Sequence, residues 1–137
     1  MEQIVPYLNF GGNCEEALNF YKDALGGEIE TIMRYEGAPM DVPDDHKNKV
    51  MHSHFRAGDL TFMASDAMHG KPPTVGNNIS LSLNFSNEED QKKVFENLSA
   101  GGNVTMPLQD TFWGATFGMC TDKFGINWMF NHDKPQS

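Results

Sequence analysis

The 137-residue chain repeats itself at a fixed offset of 75 residues: Leu8-Asn9-Phe10, Phe20 and Gly26-Gly27 return as Leu83-Asn84-Phe85, Phe95 and Gly101-Gly102. A tripeptide, a lone aromatic and a Gly pair at one spacing mark two copies of one supersecondary unit. Thr61-Phe62-Met63 and Asn127-Trp128-Met129 echo each other near the end of each half, at a shorter offset that a difference in loop length would produce. Each half alone would have a marginal core, so the chain reads as a single domain with two modules whose function lies with both.

Composition narrows the functional classes. The hydrophobic fraction of 39% supports a real core, and a mean hydropathy of -0.50 with no long apolar run argues against a membrane span. The net charge of -9 comes from scattered carboxylates, and no Lys/Arg stripe is present to neutralise a phosphate backbone, which argues against nucleic acid. The two cysteines, Cys14 and Cys120, require no disulfide framework, and no apolar leader follows Met1. Cytoplasm is the expected compartment.

Local patterns give each half the order βαβββ. Ile4 to Phe10 reads as a strand, Asn13 as the cap of a helix ending at Gly26-Gly27, and Glu28 to Tyr35, Val50 to Ala57 and Leu60 to Ser65 as strands, the last two joined by a Gly58-Asp59 hairpin. In the second half, Asn78 to Phe85 alternates apolar and polar as a strand, Asn87 caps a helix ending at Gly101-Gly102, and strands follow over Asn103 to Pro107, Thr111 to Thr121 and Ile126 to Asn131. Module one thus covers residues 1–66, a linker 67–77, module two 78–132 and a loose tail 133–137.

Two such modules, with Tyr7-Leu8-Asn9-Phe10, a helix bearing Phe20-Tyr21, Gly58-Asp59 and Met63-Ala64-Ser65-Asp66, resemble the vicinal oxygen chelate superfamily. Phe112-Trp113-Gly114, Phe117-Gly118 and Asp122-Lys123-Phe124-Gly125 followed by Trp128-Met129 resemble its PhnB-like branch. The resemblance covers nearly the whole chain. It implies an α+β fold with a cupped eight-stranded mixed sheet, helices on its outer face and a ligand within. It does not imply one reaction, since glyoxalase I, extradiol dioxygenases and bleomycin-resistance proteins share the fold.

Strand alternation assigns faces. If Leu8 and Phe10 pack on a helix, Val5, Tyr7 and Asn9 face the ligand side, together with His52, His54, Arg56, Thr61, Met63 and Ser65. Asn78, Ser80, Ser82, Asn84, Asn127 and Met129 are the second-half counterparts. The resemblance implies that metal-using relatives hold their ion at positions that fall here near Val5 or Tyr7, Met63, Asn78 and Met129. Thioethers and an amide are poor ligands for a hard ion, so an apolar floor is expected and no cofactor.

His52 and His54, at i and i+2, are the candidates for a catalytic base or for a divalent metal site completed by Ser65 or Asp66. Asp41, Asp44 and Asp45 lack the spacing of a calcium loop, and His46, His69 and His132 read as exposed. Cys14, next to Glu15 and Glu16, is not an activated thiol. Trp113, placed on the seventh strand, either stacks on a ligand or completes the core, and Thr116 stands where PhnB-like relatives often carry a basic residue. Such relatives are often labelled ubiquinone-pathway methyltransferases, yet no strand-to-helix Gly-rich turn able to hold a nucleotide-like methyl donor is evident.

The expectation is therefore a homodimeric protein binding a small, partly apolar organic molecule through Tyr7, Asn9, His52, His54, Met63, Ser65, Asn78, Trp113 and Met129. A metal-dependent lyase, isomerase or dioxygenase using His52 and His54 is the alternative. An oligomeric scaffold whose cup is filled by Met63, Met129 and Trp113 is the third.

Overall fold

In the computed structural model, which describes residues 1–135, the same element order occurs twice. The first unit, Met1–Thr74, holds β1 (Tyr7–Phe10), α1 (Cys14–Leu25), β2 (Glu28–Arg34), β3 (Val50–Ala57) and β4 (Leu60–Asp66). The second, from Val75 onward, holds β5 (Leu81–Asn84), α2 (Glu88–Ser99), β6 (Asn103–Asp110), β7 (Ala115–Thr121) and β8 (Asn127–Asp133). Each unit is a four-stranded mixed sheet, ordered β1-β4-β3-β2 and β5-β8-β7-β6. The first and last strands of each unit pair in parallel, and the remaining neighbours are antiparallel. This is the α+β fold of two βαβββ modules.

The repeated Gly pair has a physical cause. Gly26, at φ 68°, is the left-handed cap of α1, and Gly101, at φ 74°, closes the turn that follows the extended cap Ala100 of α2; neither carries a Cβ penalty. Gly27 and Gly102 leave no room for a side chain: a Cβ at Gly27 would lie 2.5 Å from the Arg56 carbonyl, and one at Gly102 would strike that of Thr121. The pair thus stops the helix and lets the next strand start hard against its neighbour. The repeated aromatic is less faithful, since Phe95 is buried but Phe20 only half so. In unit one Tyr21 takes the role, meeting Phe62 edge-on at 5.7 Å as Phe95 meets Phe130 at 5.0 Å.

Several boundaries differ from the sequence expectation. β1 starts at Tyr7, not Ile4, because Pro6 offers a carbonyl to Met63 but no N–H to extend the ladder. β5 starts at Leu81, not Asn78: its partner β8 begins only at Asn127, whose side-chain amide donates to the carbonyls of Gly76 and Ile79. β7 starts at Ala115, not Thr111. The Thr111 N–H donates to the Ala115 carbonyl and the Gly114 N–H to that of Thr111, closing a turn that carries Phe112 and Trp113. β6 runs on through Pro107 to Asp110, its register slipping between Met106 and Gln109. Of the expected tail, Asp133 completes β8 and Lys134 pairs with Asp110 at 2.6 Å, while Gln136 and Ser137 lie outside the described residues.

The helix starts also differ from each other. Asn87 caps α2 as expected, its Oδ1 accepting from the Asp90 N–H at 2.8 Å. Asn13 makes no such bond. The amides of Gly12 and Cys14 donate instead to Oδ1 of Asp66, each at 2.9 Å, and Oδ2 accepts from the Val50 N–H at 2.9 Å. A carboxylate from the far end of β4 caps α1.

Candidate functional site

One face of each sheet is spent on its helix. In unit one Leu8, Phe10, Phe55, Phe62 and Ala64 are buried with Leu18, Tyr21 and Ala24 of α1. The period of a strand then turns the intervening residues to the other face. Register aligns them in rows: Tyr7 lies opposite Met63, Met63 opposite His54, and His54 opposite Thr31. Asn9 lies opposite Ser65, and His52 opposite Met33. Arg56 pairs with Thr61 at the hairpin end, as the two-residue turn requires.

Within this face the structure brings three expected residues together. The Tyr7 hydroxyl lies 2.9 Å from Nδ1 of His52, and the His52 and His54 rings meet edge-on with centroids 4.8 Å apart. The Tyr7 and His52 rings are 5.7 Å apart. Tyr7 and His54 are exposed and His52 half-buried, so a ligand has access to all three. With Nδ1 of His52 engaged by Tyr7, its Nε2 and both nitrogens of His54 remain for recognition or proton transfer. Ser65 shares this face, whereas Asp66 has the parity of Phe62 and Ala64 and is committed to backbone amides on the other side. Asp66 therefore cannot complete a metal site with the two histidines. Among the described residues no group of three or more His, Cys, Asp or Glu side chains could hold a metal ion.

In unit two the corresponding face is dominated by thioethers. Ser82 lies opposite Met129, Met129 opposite Met119, and Met119 opposite Met106. Asn84 lies opposite Asn131, Asn131 opposite Phe117, and Phe117 opposite Gln109. Met106, Met119 and Phe117 were not anticipated from the sequence, although the alternation of Phe117, Met119 and Thr121 against Gly118 and Cys120 was a legible signal. Ser82, not Asn78, is the repeat mate of Tyr7. Asn78 precedes β5 and is exposed, and Trp113 sits in the β6–β7 turn, 57% exposed beside Phe112 at 96%.

Several motif residues prove structural. Asp122 accepts from the amides of Phe124 and Ile126 and from the Trp128 indole at 2.8 Å, so Asp122-Lys123-Phe124-Gly125 is a staple for the β7–β8 turn. Thr116 donates to Glu88 at 3.0 Å and leaves no cation at its position. His132, expected to be exposed, is buried on the core parity of β8 with Nδ1 2.9 Å from the Phe85 carbonyl. His46 is half-buried against Tyr35 at 4.6 Å, while His69 is exposed as expected. Burial, then the nearby Asp66 charge, pushes the Cys14 thiol up to about 12, the reverse of activation.

The chain itself is similar to known proteins. The family described as 3-demethylubiquinone-9 3-methyltransferase matches residues 2–130. Protein YjdN of Escherichia coli (strain K12) is 36% identical over 144 residues, covering 97% of each chain. The crystal structure of protein PA1353 from Pseudomonas aeruginosa is similar at 41% identity and a TM-score of 0.87, over 98% of this chain and 100% of that one. A PhnB protein from Bacillus cereus follows at 30% identity and a TM-score of 0.76, over 96% and 99%. A glyoxylase/bleomycin resistance protein/dioxygenase domain from Frankia sp. EAN1pec, at 15% identity and a TM-score of 0.71 over 98% and 99%, shares the fold.

Proposed function

We propose that this chain, which belongs to the 3-demethylubiquinone-9 3-methyltransferase family in the PhnB-like branch of the vicinal oxygen chelate superfamily, binds a small, partly apolar organic molecule and does not transfer methyl groups. The observation that carries this reading is the Tyr7–His52–His54 cluster, three ring side chains with free polar atoms on the sheet face turned away from the helix. Aromatic and thioether surface with a few fixed polar groups is the lining that holds small ligands. Asn9, Met63 and Ser65 extend it.

The family description is at odds with the chemistry of the β1–α1 turn. Gly11-Gly12 does lead from strand to helix, but the amides that would meet an anionic or nucleotide-like donor already bind Asp66. An incoming phosphate or carboxylate would face a carboxylate.

A screen of fluorinated aromatic fragments by ligand-observed NMR tests the proposal. Hits should saturate one site per chain and weaken about tenfold in Tyr7→Phe/His52→Ala, the loss of one to two hydrogen bonds. Equal binding to both proteins would refute it. The close His52–His54 pair favours one rival, a metal-dependent enzyme. Stoichiometric zinc, iron or manganese in tag-free protein, lost in His52→Ala/His54→Ala, would establish that rival instead. A homodimer, which would cover the edge strands of such small sheets, completes the proposal, and sedimentation of a monomer at micromolar concentration would refute that part.

A further inference from the structure

A second cluster of donors lies apart from the Tyr7–His52–His54 face, where the 36–49 loop meets the segment after β4. A cavity of about 260 Å³ is lined there by Met40, Met68, His46, His69, Tyr35 and Asp41 among others. His46 packs on Tyr35 at 4.6 Å, and Tyr35 is itself fixed by donating to the Asp66 carbonyl at 2.7 Å. His69 meets His46 edge-on with ring centroids 5.7 Å apart. Nε2 of His46 is out of reach of solvent and has no hydrogen-bond partner. A buried ring nitrogen without a partner costs roughly 1–3 kcal/mol, which a ligand bound to it would recover.

From these observations we infer that the cavity is a binding site for a soft monovalent metal ion, Cu(I) in its chemistry, held by the imidazoles of His46 and His69 and the thioethers of Met40 and Met68. Imidazole nitrogens bind metals at about 2.0–2.1 Å, which places two rings sharing an ion with centroids about 5–6 Å apart. The observed 5.7 Å fits. The donor set then selects the ion. No trio of His, Cys, Asp and Glu converges among the described residues, so a hard ion lacks ligands here. Two thioethers beside two imidazoles suit Cu(I), which soft sulfur donors prefer. Asp41, an exposed residue of the lining, offers one negative charge to a monovalent cation. The inference is independent of the small-molecule reading, since it uses none of the same side chains.

Ag(I), a redox-inert stand-in for Cu(I), is the probe. Full-length tag-free protein titrated with Ag(I) against a chromophoric chelator should bind one ion per chain and shift the ring resonances of His46 and His69. Met40→Leu/Met68→Leu conserves volume and should retain the fold. Loss of two direct ligands should exceed the 10–100-fold that outer partners command, weakening binding more than about 100-fold. Cys14→Ala/Cys120→Ala and His52→Ala/His54→Ala should bind as the parent does. No stoichiometric binding, binding unchanged by the Met substitutions, or binding lost with the cysteines or with His52 and His54 would each overturn the inference.

Discussion

Replacing Asp66 tests whether a single carboxylate holds unit one together. Its side chain is 2% exposed and accepts from three backbone amides, those of Gly12, Cys14 and Val50, each at 2.9 Å. Hydrogen bonds to a charged group contribute about 1.5–3 kcal/mol each, and an orphaned buried donor costs its full desolvation. Asp66→Ala strands all three donors at a cost of about 5–9 kcal/mol, which rivals the whole stability of a domain. It should fail to fold cooperatively. Asp66→Asn keeps one oxygen for the helix amides but turns its NH2 toward the Val50 N–H, so two donors meet. The expected loss is about 3–5 kcal/mol, or a fall of roughly 10–20 °C in Tm. Urea unfolding measures the loss, and amide exchange at Gly12, Cys14 and Val50 localises it. An Asn variant within about 0.5 kcal/mol of the parent, with those amides equally protected, would refute the reasoning.

Other consequences follow from buried groups and tight backbone. Folding raises the Cys14 thiol from its ordinary value of 9.0 to about 12, so the stability it confers is complete below pH 9 and lost as pH rises toward 12. Unfolding free energies from urea titrations between those limits should fall by up to about 4 kcal/mol more in the parent than in Cys14→Ala, and a flat difference would contradict the assignment. The folded thiol should also resist a disulfide reagent at pH 8. Gly102→Ala, whose Cβ would strike the Thr121 carbonyl, should cost about 2–4 kcal/mol, against about 1 kcal/mol for Gly101→Ala, where the left-handed φ is at stake and the added Cβ meets only the flexible Lys123 side chain, at 3.3 Å. The order of the two Tm values checks it. Arg34→Ala removes paired hydrogen bonds to Glu15 at 3.0 Å, which hold that carboxyl below its ordinary range. Because the pair is exposed, its share of the loss should be under about 1 kcal/mol and should vanish as pH falls through the Glu15 value or as salt rises, leaving only the share of the Arg34 bond to the Asn48 carbonyl at 2.7 Å.

What the sequence made legible was periodic. Two βαβββ modules, the Gly58-Asp59 hairpin with Arg56 opposite Thr61, and the shared face of Tyr7, Asn9, His52, His54, Met63 and Ser65 all follow from alternation with period two and from glycine placement. What escaped was non-local. Asn13 has every local feature of a cap and is displaced by a carboxylate that arrives from 53 residues away in sequence, Asp66. Asn78 alternates perfectly and is not in a strand, because a strand needs a partner and β8 has none to offer before Asn127. Trp113 falls off its expected strand for a similar reason: Thr111 closes a local turn in place of the ladder. His132 shows the same limit, since its core parity depended on β8 running on to Asp133.

Divergence between the copies also bears on the methyltransferase description. Duplication supplies two strand-to-helix turns at which a nucleoside-type donor could dock, and each already has backbone N–H engaged from within. The α1 turn gives its amides to Asp66, and the α2 start gives the Asp90 amide to Asn87 with Glu88, Glu89 and Asp90 crowding the first turn. Each end therefore offers fewer free amides to the donor's carboxylate and sets acidic side chains beside it. S-adenosylmethionine should accordingly show no saturable heat of binding up to about 1 mM, which corresponds to about -4 kcal/mol of binding free energy. The aromatic fragments should bind the Tyr7–His52–His54 face in the same protein preparation. Saturable donor binding, with amide shifts at Gly12 and Cys14 as it occurs, would mean that Asp66 yields its place, and the description of this family would then apply to this chain literally.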